Sequence, residues 1–191
     1  MSLNPPVEQT SKRILIAGIG NIFLGDDGFG VEVAQRLLKR NYHRYPENVQ
    51  IIDFGIRGME LAYTLLEDYD ALVLVDAVPR GGQPGTLYLI EPELYNISPE
   101  KGAAAGRVAL DTHSMDPVKV LAFARTLGAR PIYTLVVGCE PSPFGADEDY
   151  TEMQMGLSEP VSAAVDEAVK VLDSVVENLL RHGSNKSESV A

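Results

Sequence analysis

The stretch RILIAGIGNIFLGDDGFGV, residues 13–31, decides the fold. It opens on a short apolar run, Ile14 to Ala17, and turns through Gly18, Gly20 and Asn21. It then reaches two adjacent acids, Asp26 and Asp27, between Gly25 and Gly28. A helical pattern follows at once, so the reading is strand, glycine-rich loop, helix, with carboxylates at the mouth of the loop. In an open α/β sheet that mouth lies at the carboxyl end of a strand, where ligands bind. Three loop chemistries compete. A phosphate-cradling P-loop needs GxxxxGK[ST], and no Lys follows Gly25, Gly28 or Gly30. A dinucleotide fingerprint needs GxGxxG, but Gly18-Ile19-Gly20 is followed three residues later by Phe23, and two carboxylates would repel a pyrophosphate. The acids favour a cation. A structural role, in which Asp26 or Asp27 caps the next helix, stays open, because Asp is a preferred N-cap and suits the positive end of the dipole.

Working outward, the pattern predicts a first strand over residues 13–17 and a helix over 27–40. Val31, Ala34 and Leu38 share the buried stripe of that helix, with Val33 and Leu37 beside it. Residues 49–53 read as a second strand and 59–67 as a short helix. The run 71–76, ALVLVD, is nearly continuous in apolar residues, as a central parallel strand covered on both faces requires. Residues 86–90 alternate like an antiparallel edge strand. Residues 91–110 are irregular. A helix over 116–127 has Asp116 as its N-cap and Pro117 at its first position. Residues 132–137 form a strand, and 138–149 an acidic loop. Ser158, Glu159 and Pro160 begin the last helix, whose buried stripe is Val161, Val165, Ala168, Leu172, Val175 and Leu179, with Asp166, Glu167, Lys170 and Asp173 outside. Strands alternate with helices, so the class is α/β with a mostly parallel sheet and helices on both faces. The expected organisation is one α/β domain over 13–182 between polar tails, 1–12 and 183–191.

The 191 residues suffice for one domain with a full core. A net charge of −11 argues against nucleic acid or an anionic membrane as the main partner. The single cysteine, Cys139, excludes an internal disulfide framework and a multi-cysteine zinc site. No apolar run approaches membrane-spanning length, and residues 1–12 contain no apolar signal core, so a cytoplasmic protein is expected. HExxH, CxxC and GxSxG are missing, which leaves a zincin, a zinc ribbon and a serine elbow unsupported. Cys139 follows a strand and reads as a buried, inert thiol.

Asp76 ends a strand that is otherwise apolar, and an ionised carboxylate at that depth is costly unless it is paired or bound to a cation. The competing reading is an Asp that caps the following turn. If the first and third strands are neighbours, their carboxyl ends flank the topological switch point, and Asp27 and Asp76 face one crevice. Of the three histidines, His43 and His182 read as surface residues, whereas His113 lies in DTHSMDP just before a helix, where a loop at the top of the sheet belongs. Two carboxylates and an imidazole together suit a divalent transition metal with coordination positions left open.

These residues occur in a recognisable order. GIGNIFLGDDGFG from Gly18, DFGIRGME from Asp53, VDA from Val75, PGT from Pro84, DTH from Asp111, GCEP from Gly138 and GLS from Gly156 resemble the hydrogenase maturation endopeptidases. Members of that family trim the C-terminal extension from the large subunit of nickel–iron hydrogenases. The resemblance implies a three-layer α/β/α fold with a twisted, mostly parallel, five-stranded sheet. It places the family's metal-binding positions, which are also the expected catalytic positions, on Asp27, Asp76 and His113. It further implies that the nickel arrives with the large-subunit precursor and that no organic cofactor is needed. A general metallopeptidase and a nucleotide- or flavin-binding module on a doubly wound sheet remain the alternatives.

Overall fold

A computed structural model describes residues 12–40, 45–92, 117–143 and 154–181. Both tails apart from Lys12, all three histidines, the proposed Asp116 cap and most of the irregular 91–110 segment lie outside the described residues. Five strands form one sheet: β1 (Ile14–Ile19), β2 (Val49–Gly55), β3 (Ala71–Ala77), β4 (Leu87–Ile90) and β5 (Tyr133–Cys139). Their order is β2-β1-β3-β5-β4. The first four in that order run parallel, and β4 is antiparallel to β5 at the edge. β1 and β3 are neighbours, as the shared crevice of Asp27 and Asp76 requires, and the antiparallel edge strand is present.

Among the described residues, four helices cover the sheet: α1 (Phe29–Arg40), α2 (Gly58–Thr64), α3 (Pro117–Thr126) and α4 (Glu159–Arg181). Side chains alternate along a strand, and the alternation sorts the core into two layers. Ile14 and Ile16 of β1, with Val73 and Val75 of β3, pack against Phe29, Val33 and Leu37 of α1 and the apolar stripe of α4. Leu15, Ala17 and Ile19, with Leu72 and Leu74, pack on the other face against Leu61 of α2 and Leu121 of α3. β1 and β3 are apolar throughout because both of their faces are covered.

The elements differ from expectation mainly at their ends. β1, β2 and β5 each run two residues further than the apolar patterns, because backbone ladders continue after the large side chains stop: Gly18 pairs Asp53, and Gly138 pairs Asp76. Asp76 is therefore the penultimate residue of β3. Leu38 is a correction. It was expected in the buried stripe of α1 but is 45% exposed. The helix lies on the sheet through Phe29, Val33, Ala34 and Leu37, which turns Leu38 toward solvent.

The start of α1 sits unusually close to the sheet. A Cβ on Gly30 would lie 2.0 Å from the Val75 carbonyl oxygen and 2.4 Å from that of Ile19. Only a residue without a side chain lets the helix rest directly on the carboxyl ends of β1 and β3. That contact fixes the height of the preceding turn, Gly25–Gly28, which carries Asp26 and Asp27.

Candidate active site

The loop leaving β1 turns at Gly20, which has φ +132°, and a Cβ there would stand 1.8 Å from the Asp27 carbonyl oxygen. The chain therefore folds back on itself within seven residues, and the loop is knit from inside. Gly20 N–H donates to the Gly55 carbonyl at 3.1 Å, which ties the β1 loop to the end of β2. Asn21 Oδ1 accepts from Phe23 N at 3.0 Å, and Asn21 N–H donates to Asp27 Oδ2 at 2.7 Å.

The two adjacent acids have opposite environments. Asp26 is buried, at 5% exposure, and accepts from three donors: Ser158 N to Oδ1 at 2.6 Å, and Ser158 Oγ and Ser142 N to Oδ2, both at 2.8 Å. Ser142 and Ser158 also join each other, Oγ to Oγ, at 2.8 Å. Asp26 thus serves the entry to α4, not the helix next to it in sequence, and its charge suits that N-terminus. Asp27 is half-buried. Burial raises its carboxyl pKa, and the Asn21 N–H offsets part of that rise. Its Oδ1 receives no hydrogen bond among the described residues. The structural role and the open acceptor are therefore divided between the two neighbours: Asp26 is a latch, and Asp27 keeps one carboxylate oxygen without a hydrogen bond among the described residues.

Asp76 is half-buried and stands opposite Gly138 in the β3–β5 ladder. The Gly25–Gly28 turn packs against β3, so Asp27 and Asp76 occupy adjoining elements at the carboxyl ends of β1 and β3. His113 lies outside the described residues. Among the described residues, no three His, Cys, Asp or Glu side chains cluster as a metal site.

Past Asp76 the chain is held by β5. Val78 N–H donates to the Cys139 carbonyl at 2.8 Å. Glu140, 5% exposed, then accepts Arg80 N at 2.8 Å and Gly81 N at 3.0 Å, and Tyr88 Oη at 2.7 Å. These bonds, the tyrosine's first, hold its carboxyl below the usual range against the opposing effect of burial. Sequence reasoning assigned Glu140 no role, although GCEP was among the recognised motifs. Cys139 is fully buried, and burial, followed by the charges of Asp26 and Glu140, pushes its thiol up to about 12. It is the inert thiol that its position suggested.

The comparisons agree with this architecture. The family model for hydrogenase maturation proteases (HycI) matches residues 31–174, about three-quarters of the chain. A candidate hydrogenase maturation protease of Methanocaldococcus jannaschii is 36% identical over 163 residues, covering 84% of this chain and 94% of its own. The hydrogenase maturating endopeptidase HybD of Escherichia coli superposes with a TM-score of 0.61 at 28% identity, over 87% of this chain and 93% of that one. A hydrogenase 2 maturation peptidase from a Thaumarchaeota archaeon gives 0.59 at 30% identity, over 87% and 99%. With the glycine loop, its split pair of acids and the β2-β1-β3 switch point all in place, the chain belongs to the hydrogenase maturation proteases.

Proposed function

We propose that this protease hydrolyses one peptide bond near the C-terminus of a nickel-loaded hydrogenase large-subunit precursor, and that it recognises the inserted nickel through Asp27, Asp76 and His113. The observation that carries the reading is Asp27. Burial disfavours its charge, one oxygen is held by the Asn21 N–H, and the other takes no hydrogen bond among the described residues. A cation brought to that oxygen relieves the cost of keeping a carboxylate ionised where water is scarce. Carboxylate and imidazole are suitable donors for a divalent transition ion.

Two carboxylates and one imidazole are a short ligand set for an ion the protein would keep, since structural sites are usually closed by four protein ligands. The set makes better sense if the substrate brings the nickel with most of its ligands. The three side chains then close the remaining positions and orient the precursor, so that the scissile peptide lies at the mouth of the β1 loop. Hydrolysis adds water across that amide. The carbon–nitrogen bond breaks, and the new amine takes a proton as it leaves.

The test is mass spectrometry of nickel-loaded and nickel-free precursor after incubation with the protein. The loaded precursor should lose one C-terminal peptide, and the nickel-free one should stay whole. Asp76→Asn and His113→Ala should each remove most of the activity while keeping the fold. Equal cutting of both precursors would refute nickel recognition, and native rates in both variants would refute the site.

A further inference from the structure

We propose that Glu140 is a positioning residue that sets where Asp76 stands relative to Asp27. It acts from one end of a three-residue bridge, Glu140-Pro141-Ser142, whose other end grips Asp26. The inference rests on the function proposed above and adds a residue to it.

The bridge follows β5 directly. At its first residue, the Glu140 carboxylate takes the Arg80 and Gly81 N–H groups and the Tyr88 hydroxyl. The backbone of the same residue is engaged too: its N–H donates to the Thr86 carbonyl at 2.8 Å, and its carbonyl accepts Gly85 N at 2.9 Å. One residue thus holds the connection from β3 to β4, residues 78–86, in which Arg80 follows Asp76 by four positions. At its third residue, the Ser142 N–H donates to Asp26, the immediate neighbour of Asp27. The segment that follows Asp76 and the turn that carries Asp27 are therefore fastened to points two residues apart on one strand exit.

Burying a carboxylate is costly and is tolerated only with several good donors. The connection has only to cross the end of β5, which lies between β3 and β4, and a loop can do so without a buried carboxylate. The Arg80 and Gly81 amides are at an exposed part of the loop and could be satisfied by water. What the carboxylate adds is a fixed loop: it converges two successive N–H groups on one point and leaves the chain after Asp76 a single path. A displacement of about 1 Å at reacting groups can cost on the order of a hundredfold in rate, so such a clamp matters more for turnover than for folding.

The experiment compares wild type, Glu140→Ala and Tyr88→Phe in steady-state cleavage of the nickel-loaded precursor, with rates normalised to the folded fraction from circular dichroism. Releasing the loop to water should leave Glu140→Ala folded. Its kcat should fall at least about tenfold, with KM within about threefold of wild type. Tyr88→Phe removes one of the bonds and keeps the carboxylate, so it should fold like wild type and lose severalfold in kcat. It also carries the test if Glu140→Ala does not fold. A native kcat per folded molecule in Tyr88→Phe, or in a folded Glu140→Ala, overturns the role of Glu140 while the proposed function stands. A wild-type protein that leaves the loaded precursor uncut removes the proposed function, and this inference with it.

Discussion

Replacing Gly30 with alanine adds one methyl group to a helix, and helix propensity alone predicts a gain of about 1 kcal/mol. The structure predicts the opposite sign. The new Cβ would stand 2.0 Å from the Val75 carbonyl oxygen and 2.4 Å from the Ile19 oxygen, where ordinary contact begins at 3.4 Å. Both obstacles are backbone atoms of central strands, so no side chain can rotate away. The start of α1 must lift by about an ångström or more. Overpacking of this kind typically costs 1–3 kcal/mol, and a clash with backbone on two sides belongs at about the top of that range. Subtracting the propensity gain leaves a net loss of about 2 kcal/mol, or a fall in Tm of about 4–8 °C for a chain of this size.

The assay is thermal and urea unfolding of Gly30→Ala beside Gly81→Ala. Gly81 has φ +80°, and nothing lies within 4 Å of the Cβ that alanine would add, so its replacement carries backbone strain without a clash. That strain costs about 1–2 kcal/mol. A Gly30→Ala protein as stable as wild type, or more stable, would refute the close seating of α1 on β1 and β3. The height assigned to Asp27 above the sheet would fall with it.

Three further outcomes are expected. Folding raises the pKa of Asp27, so the native state holds more protons than the unfolded chain between about pH 3.9 and the higher folded value, and stability falls as pH rises through that window. Asp27→Asn, which can still accept the Asn21 N–H, should therefore raise Tm at pH 7, gain nothing below about pH 4, and abolish cleavage; a lower Tm at pH 7 would contradict the burial effect. Asp26→Asn should cost about 1–3 kcal/mol, because an amide nitrogen must then face a donor from Ser142 or Ser158, and amide exchange at both serines should speed up; unchanged exchange would mean that they are not held by Asp26. With its pKa pushed up to about 12, the Cys139 thiol is ionised in about one molecule in ten thousand at pH 8, so a thiol reagent should leave the native protein unlabelled and Cys139→Ser should cleave normally; fast native labelling would refute the burial.

Why the fold was legible and half of the site was not comes down to the range of the interactions. β1, α1 and β3 announce themselves through spacing within a few residues, because period-2 and 3.6-residue patterns are local consequences of burying one face. The neighbourhood of β1 and β3 entered the sequence reading as a condition, because strand order is a long-range property that those patterns do not carry. Asp76 could be singled out because a carboxylate at the end of an apolar strand is a local anomaly. The adjacent acids are a different case. Asp26 and Asp27 are chemically identical and one position apart, and no local rule separates them. What separates them is that Asp26 meets residues 116 and 132 positions later, whereas Asp27 meets Asn21, six positions earlier. Glu140 is hidden for the same reason, since its main-chain donors lie 59 and 60 residues upstream. The partners of both buried carboxylates are set by β5 lying beside β3, which brings residues 140–142 to groups far away in sequence. Asp76 leaves a trace in the sequence as an exception to patterning, but Glu140 leaves none, because a satisfied carboxylate in a loop looks like any other polar loop residue.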